Sequence, residues 1–99
     1  MRMLLKVQMP IDAGNAAIKD GSLPQILGSS LEALKAEAAY FIAEDGMRTA
    51  LIFFDMQDSS EIPPAVEPLF LGLNAAITMV PAMNAEDMQA GVAKAMEAR

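Results

Sequence analysis

Between Ala38 and Met56 two apolar runs flank the pair Asp45-Gly46, and this arrangement constrains the fold more than any other feature of the chain. A two-residue type I′ turn needs φ > 0 at both central positions, which Asp-Gly supplies. So short a loop leaves no freedom of register: Glu44 faces Met47, Ile42 faces Thr49 and Tyr40 faces Leu51. Opposed residues share a face of a hairpin. One face therefore carries Ala39, Phe41, Ala43, Arg48, Ala50, Ile52 and Phe54. The other carries Ala38, Tyr40, Ile42, Thr49, Leu51, Phe53 and Asp55. Both are mostly apolar. An antiparallel hairpin in a small monomer normally keeps one face wet. Here one face is expected to pack on helices, and the second needs some other cover.

The flanking segments place the hairpin in a larger pattern. Met3, Leu5, Val7 and Met9 alternate with Leu4, Lys6 and Gln8, the period of a half-buried strand, which Pro10 closes. Ile11 to Lys19 reads as a short helix stopped by Asp20-Gly21. Ser22, with Gln25 three residues on, has the spacing of a capping box and opens a second helix with Ile26, Leu27, Leu31 and Leu34 as its apolar stripe. Asp58-Ser59-Ser60-Glu61 starts another helix, in which Pro68 is expected to cause a kink or delay the true start. Ala75 to Ala82 forms a fourth strand, with Pro81 suited to an edge. Asn84 caps a last helix whose Met88, Val92 and Met96 repeat every four residues.

The order strand, helix, strand, strand, helix, strand, helix is the ferredoxin-like split βαβ pattern with an extra C-terminal helix. Right-handed crossovers put the helices on one face of a four-stranded sheet and leave the other open. The fold class expected is thus α+β, a single domain over residues 1–99. Hydrophobic residues make up 54% of the chain. That surplus, in a domain too small to hide much surface, predicts a homodimer.

Composition removes several functions. There are 13 acidic and 7 basic residues, a net charge of −6, so nucleic acid is not an expected partner. With neither cysteine nor histidine, thiol chemistry and the usual zinc, copper and haem ligand sets are missing. No cofactor or metal is expected. The nine methionines, of which only Met79 and Met83 are suggestively spaced for copper, read as flexible core filler. The uncharged stretch from Glu67 to Glu86 is broken by Pro68, Gly72 and Pro81, so no membrane span is expected, and the location expected is cytoplasmic.

Glu37-Ala38-Ala39-Tyr40-Phe41, Arg48-Thr49-Ala50, Ile62-Pro63, Glu67-Pro68-Leu69-Phe70, Pro81-Ala82-Met83 and Glu86-Asp87 resemble a family of short, uncharacterised bacterial proteins. The likeness runs from Asn15-Ala16-Ala17 to Met88. It implies the dimeric α+β barrel superfamily, in which two ferredoxin-like sheets meet face to face. It implies no activity, because folds of this kind host many.

Three functional expectations follow. The first is a homodimeric module, structural, regulatory or binding a small apolar ligand, with a cavity near the sheet–sheet interface lined by Gln8, Thr49, Leu51 and Phe53. The second is a cofactor-independent isomerase or monooxygenase-like enzyme. There Asp55, its pKa raised by desolvation, acts as base while Tyr40 and Lys6 stabilise developing negative charge. Lys6 is expected to bind an anion or pair with a carboxylate such as Asp55, and Arg48 to pair with Glu44 or Asp45. The third is a subunit that docks on another protein through the Met88–Met96 stripe.

Overall fold

Asp45 and Gly46 both adopt left-handed backbone, with φ of 55° and 76°, so the hairpin turns as the Asp-Gly pair requires. A computed structural model describes residues 1–98. The strands are β1 (Arg2–Gln8), β2 (Ala38–Glu44), β3 (Met47–Asp55) and β4 (Ala76–Pro81). The helices are α1 (Ile11–Lys19), α2 (Ser22–Leu34), α3 (Ile62–Leu73) and α4 (Ala85–Glu97), with a short 3-10 turn Ser59–Glu61 leading into α3. The chain is therefore an α+β protein with a four-stranded antiparallel sheet in the order β2-β3-β1-β4, compatible with the ferredoxin-like arrangement.

Register runs cleanly across the sheet. Tyr40 pairs with Leu51, Leu51 with Lys6, and Lys6 with Thr78. The next row inward along β1 holds Leu5, Ile52, Ala39 and Met79. Because side chains alternate between faces, these two rows point in opposite directions. The second kind of row makes the core: Met3, Leu5, Val7, Ala50, Ile52 and Phe54 are buried beneath Leu23 and Leu27 of α2 and Val66, Leu69 and Leu73 of α3. α1, α2 and α3 pack against one another on that face.

Two local expectations need correction. Ser22 does not cap α2: it is the first helical residue, and Gly21, at φ 80°, precedes it without a side-chain cap. The Asp20 carboxylate instead accepts the Ser22 N–H at 2.8 Å. Only two residues separate α1 from α2, so the ionised acceptor that ends the first helix is already in reach. Pro68 does not delay α3, which begins at Ile62 and runs through it.

The other caps form as expected. Asp87 accepts from the Asn84 N–H at 3.1 Å while the Asn84 side chain accepts from the Asp87 N–H at 2.8 Å. Asp58 takes the Ser60 hydroxyl at 3.0 Å and the Ser60 N–H at 3.4 Å. The Ser60 side-chain hydrogen bond, followed by that from its backbone, holds the Asp58 carboxyl below its ordinary value. A depressed folded-state pKa stabilises the fold fully above the ordinary Asp range, and that contribution is lost as pH falls through the lowered value. Asn is an equally good cap that does not titrate. Asp58→Asn is therefore expected to keep the neutral-pH melting temperature and to flatten its fall in acid, as read by circular dichroism melts between about pH 6 and pH 2.

α4 stands apart. Every residue of it is exposed, and among the described residues its tie to the sheet is the Arg2–Asp87 ion pair rather than a packed interface. The radius of gyration is 15.7 Å, against about 12.6 Å for a compact 99-residue domain. Among the described residues no helix is long and apolar enough to cross a membrane.

Candidate functional site

The helix layer is narrower than the sheet. Its helices lie over β3 and β4, and β2, at the edge, is left largely uncovered among the described residues. Phe41 consequently points to the helix side yet is 58% exposed. The uncovered strip forms a groove of about 560 Å³ between α2 and the β2–β3 hairpin. Leu23, Leu27 and Leu31 wall it on one side, Phe41 and Ala43 on the other, and Met9 and Thr49 also line it. Arg48 is the single charged residue of the lining.

Arg48 is not paired with Glu44 or Asp45, as the turn suggested. Its guanidinium donates to the Asn15 side-chain oxygen at 2.8 Å, across to α1. Gly14 makes room for it: a Cβ there would lie 3.1 Å from an Arg48 terminal nitrogen. Asn15 is neutral, and among the described residues no carboxylate lies within 4 Å of the Arg48 side chain. An apolar trough with one positive charge left over is the chemistry of a site for an amphipathic anion.

The seven residues named from sequence all lie on the open face of the sheet, in consecutive rows. Gln8 stands opposite Thr49, Lys6 opposite Leu51 and through it Tyr40, and Leu4 opposite Phe53. Thr49 alone of the seven lines the groove. It is 1% exposed, with its hydroxyl donating to the Met47 carbonyl at 3.2 Å. Lys6 pairs with Glu44, not with Asp55. The Glu44 carboxylate also lies 3.5 Å from the Gln8 amide.

Asp55 lies opposite Arg2, four residues along β3 from Leu51, or about 13 Å at the usual strand rise. Lys6, Tyr40 and Asp55 thus share a face without meeting at a point. The Asp55 carboxylate accepts from the Met1 amino group at 2.7 Å and the Gln57 amide at 2.6 Å. Its pKa is lowered, chiefly by the hydrogen bond and charge of that amino group. Desolvation acts the other way and is the smaller influence.

A second, charged recess lies around Asp55, and its ions are already engaged. Arg2 bonds Glu37 at 2.6 Å and Asp87 at 3.2 Å, which raises its pKa, first through Glu37. No group of three or more acidic side chains among the described residues is placed to hold a metal ion.

The residues that sequence reasoning missed are Leu23, Leu27 and Phe41, and Arg48 in its present role. That Phe41 and Arg48 share a face was legible from the hairpin register. That the helix layer stops short of β2 was not.

No protein-family model matches the chain, and no curated protein matches it in sequence. Among solved structures it is similar to the crystal structure of a formyltetrahydrofolate deformylase from Pseudomonas putida KT2440, with a TM-score of 0.53 at 9% identity. The likeness covers 83% of this chain and 29% of that one, so this chain spans under a third of that enzyme's length. At that identity the likeness concerns the fold.

Proposed function

We propose that the chain is a homodimeric binding module of the dimeric α+β barrel type, taking a small amphipathic carboxylate in the groove between α2 and β2. The observation that carries this reading is the Arg48 guanidinium, which among the described residues has no carboxylate partner, in the lining of an otherwise apolar trough. A volume of about 560 Å³ falls within the range usual for small-molecule sites, about 300–1,000 Å³. The aliphatic or aromatic body of a ligand lies against Leu23, Leu27 and Phe41, and its carboxylate meets Arg48.

Pairing is supported by surface. Tyr40 and Ile42 on the open face are 61% and 41% exposed, and Leu4, Leu51 and Phe53 beside them are only half-buried. Two such faces laid together cover each other.

Medium-chain carboxylates separate this reading from an inert groove. Octanoate is expected to raise the melting temperature in proportion to the logarithm of its concentration, and octanol, with the same chain and no charge, to do so much less. Arg48→Met keeps the length and the apolar contact but removes the charge. It is expected to weaken octanoate binding by about 10- to 100-fold, the worth of a charge-assisted hydrogen bond, read by calorimetric titration. Equal binding of octanoate and octanol, or a variant that binds as well as the parent, would sink the assignment of the groove. Light scattering at micromolar concentration tests the dimer separately.

A further inference from the structure

We infer that α4 is a clasp that crosses to a second copy of this chain and seats its Met88–Val92–Met96 stripe on that copy's β2 margin. The inference rests on the homodimer just proposed.

α4 is tied to its own body at its first turn, and no residue of it is buried there or beyond. Beyond Pro81 the Ala82 N–H donates to the Arg2 carbonyl at 3.0 Å, so the chain leaves β4 still tied to β1. Asp87, in the first turn, accepts from the Asn84 N–H at 3.1 Å and the Arg2 guanidinium at 3.2 Å. These bonds anchor the start of the helix to β1. The helix that follows is capped at its start, carries Met88, Val92 and Met96 at 49%, 53% and 55% exposure, and has no buried residue.

The area left over is the size of an interface. A compact monomer of 10.5 kDa exposes about 5,400 Å². This chain exposes 6419 Å², an excess of roughly 1,000 Å² relative to that scaling. Two copies together carry about twice that, at the upper end of the roughly 1,200–2,000 Å² that stable pairs hide. A second copy is thus sufficient to cover the excess.

Symmetry supplies the place. In the strand order β2-β3-β1-β4 the outer strands are β2 and β4. A two-fold axis running between facing sheets, along the strands, sets β4 of each copy against β2 of the other. Each copy then gives a helix and receives one, as an isologous pair requires. α4 leaves from the end of β4, and its 13 residues extend about 20 Å. That length is enough to reach across the partner's exposed β2.

The test is sedimentation equilibrium of the full chain beside Val92→Asp, with a photo-reactive benzophenone amino acid replacing Met88 in a second preparation. Val92→Asp is expected to weaken self-association at least 10-fold while leaving the far-ultraviolet spectrum unchanged. The photoproduct is expected at twice the chain mass, joined to the peptide containing Tyr40 and Ile42. Unchanged association in Val92→Asp, or a cross-link closed within one chain, overturns the clasp and leaves the dimer standing. A parent chain that sediments as a monomer overturns both.

Discussion

Phe54→Ala is expected to lower the unfolding free energy by about 3–5 kcal/mol, the usual cost of removing a large buried aromatic. Phe54 is 2% exposed, the largest of the fully buried side chains, and pairs with Met3 across β1. It lies on the helix side of the sheet, in the core formed with Leu5, Ile52, Leu69 and Leu73. Close-packed surroundings relax little, so a cavity remains and its cost adds to the lost transfer energy. Against a total stability of about 5–15 kcal/mol for a domain, the loss is a large share of what holds the fold. Urea denaturation followed by circular dichroism measures it. A change below about 1 kcal/mol would mean that the core collapses around the gap. Phe53→Ala, one residue away on the open face and only half-buried, is expected to cost less.

The second large effect contrasts two neighbouring residues. Ile52 is 0% exposed between Leu5 and Ala39, whereas Leu51 is half-buried on the opposite face between Lys6 and Tyr40. Ile52→Glu would bury a carboxylate among apolar side chains with no cation in its row. The penalty for an unpaired buried ion is several kcal/mol, comparable to the whole stability, so the variant is expected to be unfolded at room temperature. Leu51→Glu gains Lys6 as a cross-strand neighbour and keeps water on one side. It is expected to fold, with a melting curve as cooperative as the parent's, and, on the homodimer proposed above, to lose self-association through the charge placed at the centre of the open face. Amide proton spectra and light scattering on both variants check the pair. Two folded variants would mean that the helix side is not sealed over Ile52.

The same alternation explains how much of the protein could be read beforehand. The register of the hairpin follows from Asp45-Gly46, because a turn that admits only positive φ at two positions leaves one way to pair the strands. The period of two in β1 and the Asn84–Asp87 cap are likewise local, and local rules settle them. What was not legible depends on elements far apart in the chain. Lys6 chose Glu44 over Asp55 because β1 runs antiparallel to β3, which brings Lys6 toward the hairpin end and leaves Asp55 beside Arg2. Arg48 turned to Asn15 because α1 passes close enough for Gly14 to make room. The groove exists because three helices do not span four strands, a matter of packing width that no residue pattern along β2 records. Phe41 looks like a core residue by periodicity and becomes a wall of the groove by position.

The strand order also bears on how the molecule comes into being. β1 is first along the sequence, yet it pairs on both sides, with β3 and with β4. The hairpin of β2 and β3 closes locally, on the microsecond scale of such elements. β1 has no such option. During synthesis Leu5 and Val7 emerge before their partners, and must wait for Ile52 and Ala50, and then for Met79 and Ile77, before their ladder is complete. Non-local pairings of this kind are slow to form, and an apolar strand left waiting is prone to pair with another nascent chain. Its recovery from denaturant is therefore expected to fall as chain concentration rises.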